Sequence, residues 1–233
     1  MTPAKRTLDL VGAGMGVVLL SPLFLLLGLL VKTEDGGPVF FRQERVGYRG
    51  RSFRVWKFRT MVPGAEQRGL PLTVGRDSRV TQVGAWLRRF KLDELPQLFN
   101  VLVGDMTLVG PRPEVPRYVG SYTAEQRRVL ELVPGVTDEA SIRYVEESTL
   151  LAWAVDPERA YVNEIVPDKI RLNLAYAMRA TVWTDLCVIL ATLRQLLRLP
   201  AGTRPTATPG LSAASLPRAA PAPGVAPSMA SKR

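Results

Sequence analysis

Between Leu10 and Val31 the chain runs for 22 residues without a charge, and no other feature restricts its fold as much. As one straight helix this run would reach roughly 33 Å, enough to cross a hydrocarbon core of about 30 Å. A secretory leader is the first alternative, because Lys5 and Arg6 precede the run. The run is longer than a leader core of roughly 7–15 residues, and the KTEDGGP that follows offers no small-x-small cleavage pattern. The segment is therefore expected to be retained. Ser21-Pro22 lies near its middle. Pro22 removes a backbone donor and crowds the carbonyl four residues earlier, and the Ser21 hydroxyl is at hand to serve a group so freed. Each half would then span about 15–18 Å, suited to entering one leaflet and returning. Basic residues flank both ends, Lys5 and Arg6 before, Lys32 and the stretch from Arg42 after, which favours both ends on the cytoplasmic side. Residue physics leaves two forms open, a re-entrant hairpin and a kinked spanning helix.

The 233 residues suit one domain with appendages. From Pro200 onward there are seven prolines, four basic residues and no acidic ones, a composition that cannot bury enough apolar surface to order itself. We expect a membrane segment over 1–32, a catalytic domain over 33–199 and a disordered tail over 200–233. Without the tail, 27 Lys and Arg still face 21 Asp and Glu, which points to anionic partners: phosphate-bearing substrates, nucleic acid or anionic lipid. The chain has no histidine and one cysteine. Ser-His-Asp and Cys-His triads, His-containing zinc sites and intrachain disulfides are thereby excluded. Cys187, on an apolar helical pattern, is expected to be buried. Any chemistry falls to carboxylates, Lys and Arg, hydroxyls and an oxygen-seeking metal ion.

Pro38 to Met61 reads as a hairpin followed by extended chain. It carries seven cations, Arg42, Arg45, Arg49, Arg51, Arg54, Lys57 and Arg59, and one acid, Glu44. Most of these are expected to face lipid headgroups or solvent, each worth about 1 kcal/mol near an anionic surface. Lys57 and Arg59, among Val55, Trp56 and Phe58, are better placed for a site. A helical period runs from Val80 to Phe90, with Arg88 and Arg89 near its end, and another from Leu95 to Leu102. Pro96 suits a first helical position, so Asp93 and Glu94 fall at a helix mouth. Simple capping by these acids is one reading. The other is a binding site for Mg²⁺, which takes one or two carboxylates together with substrate phosphates. Arg112, fixed between Pro111 and Pro113, offers a planar fork suited to phosphate oxygens. Phosphate, metal and membrane together point to phosphoryl-group chemistry on a lipid.

KRTLDL before an apolar run with Ser-Pro, then KFRTM, KLDELPQLFNVLVGDMTLVGPRP and VPGVT, resembles the bacterial sugar transferases, in particular the monotopic phosphoglycosyl transferases. The resemblance spans roughly Lys5 to Leu199. It implies an α+β fold: a re-entrant N-terminal helix broken at Ser21-Pro22, interfacial amphipathic helices and a small globular head with a short β-sheet. It also implies a reaction, transfer of a phosphosugar from a UDP-sugar to a polyprenyl phosphate such as undecaprenyl phosphate, releasing UMP and initiating membrane glycan assembly. By the same resemblance Asp93 is the nucleophile, forming an acyl-phosphate to the phosphosugar. Glu94 is its partner, at the Mg²⁺ or at the acceptor's proton. Lys57, Arg59, Arg88, Arg112 and Glu114 are expected near the donor, with Pro111 and Pro113 shaping the loop. The expected location is the bacterial inner membrane with the catalytic domain facing the cytoplasm, as a minimal member without extra N-terminal transmembrane helices, and homo-oligomers remain open.

Two stretches depart from the family pattern. After VPGVT the chain reads DEASIRYVEES (138–148), where many relatives continue Gly-x-Ala-Gln-Val. Asn173 stands where many have Asp, with Asp168 a candidate replacement, while Trp183 and Asp185 match. The apolar stripe Trp183, Leu186, Cys187, Leu190, Leu193, Leu196 and Leu197 suits either core or interface, core being the commoner outcome, although Arg194 and Arg198 suit a headgroup boundary. Two rival functions are a non-catalytic, membrane-anchored basic protein binding anionic lipid or nucleic acid, and an inactive scaffold. Nothing resembles a nucleic-acid module, and few aromatics interleave with the cations.

Overall fold

The structure is a computed structural model, and it describes residues 1–67, 72–73 and 77–198. The Pro/Ala-rich tail expected from residue 200 lies outside them. Helix α1 (Pro3–Asp35) starts at the Thr2 N-cap, whose hydroxyl accepts the Lys5 N–H, and ends at Gly36 in the left-handed region. It continues through Pro22. The carbonyl that Pro22 leaves without a donor is that of Val18, and the Ser21 hydroxyl donates to it at 2.8 Å. Ser21 thus takes the compensating role expected of it, while the helix is not interrupted there.

Strands β1 (Phe40–Val46) and β2 (Ser52–Phe58) form the antiparallel hairpin read from the sequence, with Phe41 opposite Lys57 and Arg45 opposite Phe53. Then come α2 (Gln82–Arg89) and α3 (Gln97–Val103), close to the two helical periods. β3 (Thr107–Val109) pairs in parallel with β4 (Gly135–Thr137), and the short α4 (Pro116–Val119) lies between them. A helical layer follows: α5 (Glu139–Arg143), α6 (Glu147–Ala152), α7 (Pro157–Ala160), a π-turn over Tyr161–Ile165, α8 (Val166–Ala177) and α9 (Val182–Arg198). The fold is α+β with two small sheets among the described residues.

Both halves of α1 belong to the head. Near its N-terminus Asp9, 1% exposed, accepts bonds from the Thr107 hydroxyl and the Leu108 N–H. Arg6 donates to the carbonyls of Val101 and Leu102 at 2.7 and 3.0 Å, serving groups that the end of α3 leaves without partners. Lys5 reaches the Val109 carbonyl and Asp185, at 2.9 and 2.5 Å. At the other end Asp35 pairs with Arg59 and Glu34 accepts the Val83 N–H at 3.0 Å. Between them Ala13, with Leu98 and Leu102 of α3, fills one apolar cluster. Leu27 and Val31, with Phe58 and Leu87, fill another. Gly12 and Gly16 permit this approach: a Cβ would meet Leu108 at 2.7 Å or Leu98 at 3.0 Å. The opposite side of α1 exposes Val18, Leu19, Leu25 and Leu29.

Helix α9 departs from expectation. Asp185 and Val188 face inward, whereas Trp183, Leu190 and Leu193 are exposed. Cys187, on the same stripe, is exposed rather than buried, and Arg194 is exposed beside it. The stripe therefore points away from the head. Helical period reveals an apolar face but not which neighbour covers it. The side chains of Leu197 and Arg198 lie outside those described.

Candidate active site

Strand alternation brings Lys57 onto the β2 face that also carries Val55. From there Lys57 Nζ reaches Glu94 Oε1 at 2.9 Å. The carboxylates stand where the chain turns sharply: Lys91 adopts φ 56°, a 3₁₀ turn spans Leu92–Glu94, and Pro96 occupies the N-cap position of α3. That cap has no side-chain hydrogen bond, so the acids do not act as simple helix caps. Glu94 instead holds Arg112, with Nη1 donating to Oε2 at 2.8 Å and Nη2 to Oε1. This two-pronged pair and Lys57 place two cations on one carboxylate.

Asp93 is 6% exposed, and its Oδ1 is buried with no hydrogen-bond partner among the described residues. Burial first, and the adjacent Glu94 second, push the Asp93 carboxyl above its usual range, against the pull of Lys57, Lys91 and Arg88. Burial would raise Glu94 too, but Arg112 and Lys57 hold it well below the ordinary carboxylate range. Burial lowers Lys57 and Glu94 opposes that shift; Glu94 raises Arg112. The neighbouring acids thus part in opposite directions, because one has direct cationic partners and the other has none.

Arg88 bonds the Thr60 and Thr73 hydroxyls at 2.8 and 3.0 Å and lies close enough to Asp93 and Glu94 to feel both charges. Its position depends on close packing, since a Cβ on Gly84 of α2 would meet the Thr60 carbonyl at 2.2 Å. Arg59 is not brought to the carboxylates. Its guanidinium is spent on Asp35, at 2.5 Å, and on the carbonyls of Pro38 and Val31. It tethers the end of α1, because the chain leaves β2 at Phe58 and Arg59, one residue further on, lies against the last turn of that helix. Glu114 is likewise turned aside: it pairs with Arg45 at 3.3 Å, accepts the Tyr161 hydroxyl and caps the Val115 N–H at 2.8 Å. Pro111, Arg112, Pro113 and Glu114 line one cleft with Asp138, Lys169 and Asn173.

Three residues of this surround were not singled out. Arg45, placed above among headgroup-facing cations, donates to the Pro113 carbonyl at 3.1 Å and so braces the Pro-Arg-Pro loop. Alternation offered a signal, since Arg45 shares the less exposed face of β1 with Phe41 and Gln43. Asn100, 1% exposed, accepts the Trp56 N–H and donates to the Arg54 carbonyl, both at 2.9 Å, locking α3 to β2. Asp138 accepts the Arg112 N–H at 3.2 Å and the Asn173 side-chain amide at 2.9 Å. The two departures from the family pattern thus meet in space. Asp168, the candidate replacement for an acid at 173, is engaged by the Tyr144 hydroxyl at 2.8 Å and by Arg171 at 2.5 Å.

A buried carboxylate with a free oxygen, an acid held by two cations and an arginine on a rigid loop stand together in a head attached to a helix long and apolar enough to cross a membrane. Residues 1–199 match the family described as bacterial sugar transferase, and the chain belongs to that family. It is 36% identical over 198 residues to a UDP-N-acetylgalactosamine-undecaprenyl-phosphate N-acetylgalactosaminephosphotransferase of Aeromonas hydrophila, a match covering 83% of this chain and 43% of that one. It is 37% identical over 196 residues to a UDP-glucose:undecaprenyl-phosphate glucose-1-phosphate transferase of Caulobacter vibrioides, covering 83% and 69%. To the exopolysaccharide production protein ExoY of Rhizobium meliloti it is 42% identical over 149 residues, covering 58% and 66%. The chain therefore spans less than half the length of the Aeromonas relative and about two thirds of the other two.

Proposed function

We propose that this protein transfers a sugar phosphate from a UDP-sugar to undecaprenyl phosphate at a membrane surface, through a covalent intermediate on Asp93. The observation that carries this reading is the contrast within the acid pair: Glu94 is neutralised by Lys57 and Arg112, while Asp93 keeps a buried oxygen free. A nucleophile needs an unengaged lone pair, and an acid spent on two cations is poorly suited to that role.

In the first step an Asp93 oxygen attacks the phosphorus that bears the sugar. The bond between that phosphorus and the oxygen bridging to UMP breaks, and UMP leaves with the electron pair. In the second, a phosphate oxygen of undecaprenyl phosphate attacks the same phosphorus and displaces the Asp93 carboxylate, giving a diphosphate-linked sugar and regenerating the acid. Arg88, Lys57 and Arg112 lower the repulsion between an anionic nucleophile and an anionic donor, a contribution made chiefly by positioning and electrostatics. The residues present fit Mg²⁺: among the described residues Asp93 Oδ1 lacks a partner, and Glu94 Oε2 takes only Arg112 Nη1, leaving it lone-pair capacity. When bound, Mg²⁺ would neutralise diphosphate oxygens.

The topology that fits this work is monotopic. Lys5, Arg6 and Asp9 at one end of α1, and Glu34 and Asp35 at the other, bond to one head. A helix crossing the bilayer would separate those ends by its full thickness. With Trp183, Leu190 and Leu193 exposed on α9 and Trp86 exposed on α2, the head has apolar surface for an interface on the cytoplasmic side.

The test is UMP release by detergent-solubilised protein, given undecaprenyl phosphate, Mg²⁺ and a panel of UDP-sugars, with Asp93→Asn in parallel. Turnover that requires Mg²⁺ and disappears in Asp93→Asn is expected, and the active sugar identifies the donor. Undiminished turnover in Asp93→Asn would sink the covalent assignment. Salt-sensitive lipid binding without turnover would favour the basic anchor.

A further inference from the structure

The cleft next to the acid pair contains another buried acid, which the reaction outlined above does not use. Asp138 is 1% exposed and receives three donors. Its Oδ2 takes the Arg112 N–H at 3.2 Å and Asn173 Nδ2 at 2.9 Å, and its Oδ1 takes the Ser141 N–H at 2.5 Å. The last of these is an ordinary helix cap for α5. The other two come from outside α5: one from the Pro-Arg-Pro loop, one from α8.

Arg112 is flanked by prolines, so its N–H is the only backbone donor between Gly110 and Glu114. Asp138 is where that donor ends. On either side the loop is already fixed, by Gly110 N–H to the Thr137 carbonyl at 3.0 Å, Gly135 N–H to the Pro111 carbonyl at 2.9 Å, and Arg45 to the Pro113 carbonyl. A contact chain therefore runs from Asn173 through Asp138 to the Arg112 backbone, and from the Arg112 side chain to Glu94. Both members suit their places. A carboxylate accepts all three donors, whereas an amide at 138 would turn an NH₂ toward one of them. An acid at 173 would set carboxylate against carboxylate at the 2.9 Å now spanned by a hydrogen bond.

We infer that Asp138 and Asn173 are a positioning pair that aims Arg112 at the donor's diphosphate, an inference that rests on the role given to Arg112 above. Asp138→Ala and Asn173→Ala test it, with Asp93→Asn as the inactive control. The readouts are melting temperature, kcat, KM for each substrate and amide hydrogen exchange across the segment containing Arg112. With the Arg112 N–H left without its acceptor, the donor KM should rise about ten-fold in Asp138→Ala. The undecaprenyl phosphate KM should stay unchanged and the Arg112 segment should exchange faster. Asn173→Ala, which removes one donor and adds no charge, should move the same readouts less. A role confined to capping α5 would lower the melting temperature, leave both KM values and the Arg112 exchange alone, and so overturn the inference. If the wild type releases no UMP, the proposed reaction falls, and the exchange data alone decide whether the pair holds the loop.

Discussion

Asp93 and Glu94 are adjacent in the chain, and burial acts on both, yet among the described residues only Glu94 has cations bonded to its oxygens. Asp93, pushed up chiefly by burial, therefore holds its proton more tightly folded than unfolded. Such a group contributes most at low pH and becomes a cost as pH rises through its folded pKa. Asp93→Asn should accordingly stabilise the protein at neutral pH while abolishing turnover, a trade common at active sites. In metal-free buffer we expect a melting temperature about 2–4 °C higher near pH 7.5, for a gain of roughly 1 kcal/mol. The gain should fade as pH falls toward the ordinary Asp value of about 3.9, and equal melting curves at pH 7.5 would contradict it. Glu94 has the opposite sign. With its pKa lowered by Arg112 and Lys57 against the effect of burial, its stabilisation is complete above the ordinary Glu range and lost only as pH falls through the depressed value. Both acids could be read as a candidate pair from LDELP. Which one is free could not, because Lys57 and Arg112 lie 37 and 18 residues from Glu94.

Elements are joined by a few polar clamps, and Arg59 is one of them. Its guanidinium connects the β2 end to Asp35, Pro38 and Val31 and so ties α1 to the head. Arg59→Ala is expected to lower stability, seen as an earlier denaturation midpoint, because it leaves the Pro38 and Val31 carbonyls without that donor and Asp35 without its partner. The fraction still folded should release UMP at close to the wild-type rate. Loss of turnover without loss of stability would return Arg59 to the site. The sequence announced Arg59 as a cation in an apolar context, which is true of Lys57 also. Alternation does not separate them, because residues two apart share a face and Arg59 lies just past the end of β2; the direction of α1 does, and that needs the tertiary structure. Helix α9 repeats the lesson, since the period marked Trp183, Cys187, Leu190 and Leu193 as one face without saying that the head lies on the other.

For the whole molecule, the direction of α1 decides how it meets a membrane. With Cys187 replaced by Ser, cysteines introduced singly at Thr2 and Thr33, both exposed, should be labelled by an impermeant maleimide from the same side of sealed vesicles. That side should also be the one from which protease reaches the head. Labelling from opposite sides would mean a spanning helix, and the contacts of Lys5 with Asp185 and of Asp35 with Arg59 could not then coexist in the membrane.

Local composition by itself determined that there is one long apolar helix, a basic body without histidine chemistry, a hairpin, two helical periods and an acid pair before a Pro-Arg-Pro loop. These follow from hydropathy, periodicity and backbone restriction, all of which act between near neighbours. Tertiary structure alone decided that Asp93 is the acid left free, that Arg59 and Glu114 serve the frame, that Arg45 and Asp138 brace the loop, and that both ends of α1 return to one head. Each of those depends on which charges become neighbours once water is removed, and that is set by pairings between residues far apart in the chain.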